Sequence, residues 1–167
     1  MHIIFETPRL LLRRFTLDDT GLLLDLNSDP EVLKYLHEPV LTDHNHARQI
    51  LTDIILPQYE KYLGRWAIHV KDDMRFVGWC GLKYRPEIDE IDLGYRFLKK
   101  EWGKGFATEA ARQTLDHGLN KLNLDIITGR AHIENTASLH VLEKIGMKYV
   151  KDEIIDDCPV KTYTASR

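Results

Sequence analysis

Apolar residues alternate with polar or small ones along residues 88–98. Ile91, Leu93, Tyr95 and Phe97 occupy every second position of this segment. A period of two predicts a strand that buries one face and leaves the other partly open. Other apolar segments predict strands over residues 9–15, 65–70, 76–84, 126–131, 147–155 and 160–165. The polar break at residues 71–73 and the turn before residue 160 predict two hairpins.

Helices are predicted from capping residues and from apolar positions three or four residues apart. The longest follows a glycine-rich segment and continues to about Leu122, with Ala110, Ala111 and Leu115 on its packing side. A second helix is predicted over residues 135–145 and ends at Gly146. Earlier helices are predicted to start at Asp18 or Asp19, at Asp29-Pro30, and at Thr42 or Asp43, the last with a kink or restart at Pro57.

The order of these elements predicts the fold class. Strands come first, then a strand–helix–strand–helix unit, then a closing hairpin, which together indicate a mixed α/β sheet covered by helices. The 167 residues contain no linker, repeat or low-complexity tract, so one domain over residues 1–167 is expected.

Composition and charge exclude several classes of partner. The formal net charge is −3 and no basic block is present, so no nucleic-acid partner is expected. The apolar runs are too short for a membrane span, and the first residues lack a signal peptide, which together favour a cytoplasmic protein without a membrane partner. Cys80 and Cys158 have no metal-binding spacing, and His44-x-His46 is the only close histidine pair, so no metal is expected. Monomer and homodimer are equally compatible with the sequence.

The segment Trp102-Gly103-Lys104-Gly105-Phe106-Ala107-Thr108-Glu109-Ala110 lies between the strand of residues 88–98 and the longest helix. A strand that turns through small residues into a helix leaves backbone amides unpaired at the positive end of the helix dipole. Small side chains let a phosphate approach these amides. The segment therefore predicts a binding loop for a phosphorylated cofactor.

Spacing excludes two common phosphate loops. A Walker loop requires Ser or Thr after Gly-Lys, and here Gly105 follows. A dinucleotide fingerprint requires a small residue at the position of Thr108.

The segment resembles instead the acyl-CoA loop of the GNAT superfamily of N-acetyltransferases. That loop has Arg or Gln, two residues, Gly, one residue, then Gly or Ala; Gly105 and Ala107 match, and Trp102 replaces the first residue. The Asn135-to-Met147 segment is similar to the second GNAT motif, and the opening from Glu6 to Arg13 is similar to the branch of ribosomal-protein N-terminal acetyltransferases. The three motifs span nearly the whole chain.

The resemblance implies a GNAT fold, with a mixed and mostly antiparallel sheet, and acetyl-CoA as co-substrate. It assigns cofactor contacts to backbone amides near Phe97 and Leu98 and to Asn135 and Ser138. The loop itself supplies the others: Trp102, Gly103, Lys104, Gly105, Phe106, Ala107 and Thr108. Asn135 and Ser138 have an equally good structural explanation, because both residue types cap helix N-termini.

Transfer of an acetyl group to an amine requires a base, since an ammonium must lose a proton. Asp92 lies where this branch commonly has Glu, and Glu90 shares its face two residues away. Asp92 is the preferred candidate, although either carboxylate can be part of an ordinary polar face. Many members place a proton-donating Tyr at the position of Leu142, so here Ser138 is the candidate for assisting the leaving sulfur.

The resemblance places the amine acceptor between residues 28–46 and the loop of the closing hairpin, residues 152–160. That loop contains four carboxylates, at Asp152, Glu153, Asp156 and Asp157. An acidic rim predicts a cationic primary amine, either a peptide N-terminus or a small polycation; a solvated hairpin loop is the alternative. The expected function is N-acetyl transfer from acetyl-CoA to a primary amine, and the alternative is a non-catalytic acyl-CoA sensor.

Overall fold

An eight-stranded sheet forms the centre of the protein. The computed structural model describes all residues, 1–167. The strands are β1 (Ile3–Glu6), β2 (Leu10–Arg14), β3 (Gly64–Val70), β4 (Phe76–Arg85), β5 (Glu90–Phe97), β6 (Ile126–His132), β7 (Lys148–Ile155) and β8 (Cys158–Ser166). Their order is β1-β2-β3-β4-β5-β6-β8-β7. Every neighbouring pair is antiparallel except β5 and β6, which confirms the mixed, mostly antiparallel sheet.

Five α-helices flank the sheet. They are α1 (Thr20–Asn27), α2 (His44–Ile50), α3 (Leu56–Gln58), α4 (Phe106–Asp116) and α5 (Thr136–Lys144). Asp43 caps α2 by accepting a hydrogen bond from the His46 amide at 2.8 Å, as predicted. A π-helical stretch, Leu51–Ile55, separates α2 from α3, and Pro57 lies in the first turn of α3.

Asp19, one of the two predicted residues, is the N-cap of α1, but its side chain makes no cap hydrogen bond there. A 3₁₀ turn over Leu17–Asp19 comes first, and Thr16 forms a capping box with Asp19. The helix predicted at Asp29-Pro30 is wrong: residues 30–35 are turns, held by backbone bonds three residues apart such as that from Val32 to Asp29. The sequence also gave no sign of β1, a four-residue strand with both ends exposed.

The two faces of the sheet are covered by different elements. Tyr95 of β5 bonds to Ser138 of α5, and Cys80 of β4 lies 3.3 Å from Thr114 of α4. We call this side the α4 face. The next β5 residue, Arg96, points to the opposite side and bonds to Asn27 of α1. We call that side the α1 face; its outer layer also includes residues 28–43, where Leu33 and Leu41 are buried.

Candidate active site

A gap opens between β5 and β6 in the middle of the sheet. The two strands pair only at Asp92–Thr128 and Leu93–Gly129, so the rest of β5 has no neighbour on its β6 side. Leu98 donates its amide to the Val77 carbonyl at 2.9 Å. Because backbone groups alternate along an antiparallel strand, the Phe97 amide then points into the gap. The gap therefore presents a free strand edge to which an extended amide-containing chain can bond.

Of the two backbone amides implied by the family resemblance, one is free and the other is already hydrogen-bonded. Phe97 keeps its amide available, and its carbonyl accepts a hydrogen bond from the Trp102 indole nitrogen at 2.9 Å. The Leu98 amide is already used within the sheet. The expectation for the Leu98 amide is therefore corrected, because alternation along the strand points this amide at β4 and the Phe97 amide away from it.

The glycine-rich loop has the free amides that the sequence predicts. Gly105 adopts φ +81° as the residue before α4, and no side chain caps this helix. The backbone amides of residues 103–108 donate no hydrogen bond within the chain. Gly103, at φ +77°, has open space around it. Six unpaired donors at a helix N-terminus suit the diphosphate of coenzyme A.

Arg9 and Glu109 hold this loop in place. The Arg9 guanidinium bonds to the Glu109 carboxylate at 2.7 Å and to the Lys104 carbonyl at 2.8 Å, and it lies over the Phe106 ring. The Thr7 hydroxyl donates to the same carboxylate at 2.5 Å. The two motifs that contain these residues were noted in the sequence, but only the folded chain shows that they bind one another.

Asn135 and Ser138 lie together at the start of α5. The Asn135 side chain accepts from the Ser138 amide at 3.2 Å, which is the helix-cap geometry. The Ser138 hydroxyl accepts a hydrogen bond from the Tyr95 hydroxyl at 2.8 Å. Burial raises the pKa of Tyr95 to about 12, so this tyrosine stays protonated at neutral pH. Sequence analysis missed its role, although alternation along residues 88–98 placed Tyr95 on the buried face.

Leu142, the position at which many family members have Tyr, belongs to the core. It is buried, and its Cδ2 lies only 2.9 Å from where a Cβ on Gly129 would be. The leucine packs against β6 and has no hydroxyl to offer. Tyr95 therefore supplies the hydroxyl near Ser138 from the sheet.

Asp92 lies on the α1 face beside the last pair of β5 and β6. Its two carboxylate oxygens accept from Arg85 at 3.1 Å and from Arg130 at 3.0 Å. Arg130 also bonds to Glu90 at 2.6 Å, so the two candidate bases share one arginine. Burial raises the pKa of Asp92, and the two arginines act in the opposite direction. Each oxygen retains a second lone pair for a substrate proton.

The predicted acidic rim is partly paired within the fold. The closing hairpin turns at Asp156 and Asp157, both at positive φ, so the loop is shorter than residues 152–160. Asp156 pairs with Arg85, and the carboxylates of Asp152 and Glu153 pair with Lys161 and Arg130; Asp157 alone has no ion pair. Because Arg85 and Arg130 also pair with Asp92, these contacts offset much but not all of the negative charge, and attraction of a cationic acceptor stays a prediction.

No helix is both long and apolar enough to cross a membrane. No group of three or more His, Cys, Asp or Glu side chains has the geometry of a metal site.

Comparisons with known proteins identify the family. Residues 9–148 match the family described as acetyltransferase (GNAT) domain. The uncharacterized N-acetyltransferase p20 of Bacillus licheniformis is 35% identical over 143 residues, which cover 85% of this chain and 80% of that protein. A crystal structure of a GNAT-family acetyltransferase from Bacillus anthracis is 29% identical and superposes with a TM-score of 0.80 over 99% of this chain and 98% of that one.

A more distant structure shares the fold. The RimL ribosomal L7/L12 alpha-N-protein acetyltransferase in complex with coenzyme A is 18% identical, with a TM-score of 0.84 over 99% of this chain and 98% of that one. The matched domain contains the glycine-rich loop, the gap and the start of α5. This chain belongs to the GNAT family of N-acetyltransferases.

Proposed function

We propose that this protein transfers the acetyl group of acetyl-CoA to a primary amine at the gap between β5 and β6. The observation that carries the proposal is the hydrogen bond from Tyr95 to Ser138 beside the free edge of β5. This edge and the unpaired amides of residues 103–108 form two sets of free donors, separated by the 3₁₀ turn at Lys99–Glu101. A diphosphate and a peptide-like arm have complementary acceptors.

The chemistry requires one bond to form and one to break. The amine nitrogen bonds to the thioester carbonyl carbon, the carbon–sulfur bond breaks, and sulfur leaves with the electron pair. Asp92 takes the proton that the ammonium loses before attack, with Glu90 as the neighbouring alternative, and the second proton passes from the nitrogen to solvent as the amide forms. The Phe97 amide stabilises the negative charge that develops on the carbonyl oxygen.

Ser138 assists the departing sulfur. Because its oxygen accepts from Tyr95, its own proton is free to point at the sulfur. Tyr95 does not need to be a strong acid here, since thiols have an ordinary pKa near ~8.5 and leave readily as thiolates. Ser138 is thus the catalytic residue and Tyr95 the positioning residue; the released thiolate is protonated by solvent.

Two measurements test the proposal. Calorimetric titration measures acetyl-CoA binding, and a thiol-release assay with a panel of amines measures transfer. We expect micromolar-range binding together with release that depends on the amine, and a Ser138→Ala variant that binds normally but transfers more slowly. Binding without amine-dependent release would indicate an acyl-CoA sensor instead.

A further inference from the structure

A row of small residues crosses the α1 face beside the proposed catalytic carboxylate. Arg65 of β3 pairs with Gly81 of β4, and Gly81 pairs with Gly94 of β5. We call Gly81 and Gly94 the glycine row; Arg65 lies at its β3 end. Neighbouring strands lie about 5 Å apart, so the backbones of Arg65 and Gly94 are roughly 10 Å apart. Gly94 is the first β5 residue beyond the last pair with β6, and it is partly exposed. The row therefore leads from Arg65 to the gap.

Larger side chains border the row on both sides. Trp79 pairs with Arg96 on one side, and Lys83 pairs with Asp92 on the other. The Trp79 ring edge lies 3.7 Å from where a Cβ on Gly94 would be, so the indole leans towards the gap. The Arg65 guanidinium carbon lies 4.6 Å from the centre of that indole ring. Stacking thus keeps the guanidinium close to the gap.

Arg65 differs from the other arginines of this face in having no partner. Arg85, Arg96 and Arg130 each form at least one ion pair. Arg65 forms no hydrogen bond or ion pair, and burial together with the neighbouring Arg96 lowers its pKa to about 10. The row therefore ends in an arginine without a direct carboxylate contact, and the more distant Glu38 carboxylate acts to raise its pKa.

Lys83, beside Asp92, is likewise without a carboxylate partner. Its pKa is lowered by burial and then by the charges of Arg65 and Arg85. The indole nitrogen of Trp79 is also buried without an acceptor. Two cations without an ion pair and one buried indole N–H without an acceptor therefore lie around the glycines. An anionic group from a ligand would pair with them.

We propose that the acceptor is a small amine that also carries a carboxylate, with the carboxylate held by Arg65 and Lys83 and the amine directed to Asp92 and the gap. A planar guanidinium can bind both oxygens of a carboxylate at once. An amino acid is the smallest molecule that carries both groups. This inference rests on the proposed acetyl transfer and narrows its substrate class.

Matched pairs of amines provide the first test. The twenty common amino acids are compared with their carboxamides, which keep the amine and remove only the negative charge; spermidine and a tripeptide complete the panel. At fixed acetyl-CoA, we expect the preferred amino acid to exceed its carboxamide by about 10- to 100-fold in kcat/KM, the effect of one charged hydrogen bond. Equal rates for acid and amide, or a preference for spermidine, would overturn the proposal.

Variants assign the preference to Arg65. Arg65→Gln should raise the acceptor KM for the amino acid and leave that for the carboxamide unchanged, while Arg65→Lys should restore part of the difference. Arg48→Gln, at an exposed arginine of α2, is the matched control and should have no effect. Acetyl-CoA affinity, measured by calorimetry, should be the same in all variants. If folded Arg65→Gln keeps the wild-type ratio of kcat/KM between the amino acid and its carboxamide, the assignment to Arg65 is wrong.

Direct binding separates this proposal from the proposed function. The N-acetylated amino acids and their amides are titrated against wild type and Arg65→Gln by calorimetry, without turnover. If wild type binds the acid more tightly than the amide and Arg65→Gln does not, the anion site is supported. That support holds even if no amine is acetylated, although the lack of acetylation would contradict the proposed acetyl transfer. Turnover with no acid preference in binding would contradict the anion site and leave acetyl transfer intact.

Discussion

The Tyr95 hydroxyl donates a hydrogen bond to Ser138 Oγ at 2.8 Å, and this bond connects β5 to the first turn of α5. Burial keeps Tyr95 protonated, because its pKa is raised to about 12. In this arrangement the serine oxygen is the acceptor, and its own proton is left for a ligand. The pair replaces the tyrosine that many family members carry at the position of Leu142.

Removing either hydroxyl should slow transfer without weakening acetyl-CoA binding. We expect Tyr95→Phe and Ser138→Ala each to lower kcat about tenfold, the effect of one lost hydrogen bond. The double variant should be no slower than Ser138→Ala, because Tyr95 acts through the serine. Thiol release and calorimetry provide both measurements. Tyr84→Phe, which removes a surface hydrogen bond to Asp89, is the control; additive losses would show that Tyr95 acts independently of Ser138.

Substitution of Gly105 should impair acetyl-CoA binding. Gly105→Ala forces a side chain into a left-handed conformation, which costs ~1–2 kcal/mol, and Gly105→Glu adds a charge that repels phosphate. We expect weaker binding in the first variant and none in the second, by calorimetric titration. Gly146→Ala is the matched control, because Gly146 also has positive φ with open space around it but follows α5. Equal affinity in folded Gly105→Glu would disprove the loop assignment.

The pH dependence of transfer should identify the base. A carboxylate base works only when ionised, so activity falls as pH drops through its pKa. Burial raises the pKa of Asp92, which places the acid limb of kcat/KM at higher pH than for an ordinary aspartate. Asp92→Asn should lower kcat ~10²–10⁴-fold and remove that limb. A normal rate in Asp92→Asn combined with a slow Glu90→Gln would assign the base to Glu90.

Arg85 gives an independent test of the same limb. It donates to Asp92 at 3.1 Å and acts to lower the pKa of that carboxyl. Arg85→Gln should therefore raise the pKa of Asp92 and move the acid limb to still higher pH. Arg112→Gln, at a surface arginine that bonds only to a backbone carbonyl, should leave the profile unchanged. A shift in the opposite direction would show that Asp92 does not control the limb.

The bond between Arg9 and Glu109 should contribute to stability in a pH-dependent way. Although burial opposes it, hydrogen bonds from Thr7 and Arg9 hold the pKa of Glu109 below 4.5. A lowered pKa in the folded state stabilises the protein above the unfolded pKa, and this contribution is lost as pH falls through the folded value. Glu109→Gln should therefore lower the melting temperature at pH 7 by roughly 2–6 °C and converge with wild type in acid.

The same substitution should also weaken acetyl-CoA binding, because Arg9 contacts the loop at Lys104. Glu6→Gln, which removes an exposed pair with Lys71, is the control and should change neither quantity. An equal melting temperature for Glu109→Gln and wild type at pH 7 would contradict this role.

Local signals in the sequence were enough to predict most elements of the fold. Alternation located β5, the Asn135 cap located α5, and the glycine spacing located the loop before α4. The strand β1 escaped detection because four residues are too few to show a period. The short helix at Asp29-Pro30 was wrong because capping residues start turns as well as helices, and here only backbone bonds three residues apart follow.

The candidate site was harder to predict, because its contacts join distant parts of the chain. Arg85 and Asp156 are 71 positions apart, and their pairing removes much of the rim charge that composition alone implies. The unpaired charge of Arg65 likewise follows from the register of three strands and from which carboxylates are already taken. Composition gives only the number of charged residues. Substrate preference depends on which of these residues have no ion-pair partner after folding.

The two-residue contact between β5 and β6 divides the molecule into two subassemblies. The first contains the proposed base, the glycine row and the diphosphate loop; the second contributes Ser138. Neither subassembly contains all the proposed reacting groups. A chain in which the two are not packed together would therefore be unable to catalyse transfer, even if it bound a ligand. Catalytic activity therefore depends on the pairing of β5 with β6. An assay of acetyl transfer is thus also an assay of whether these two strands pair in the correct register.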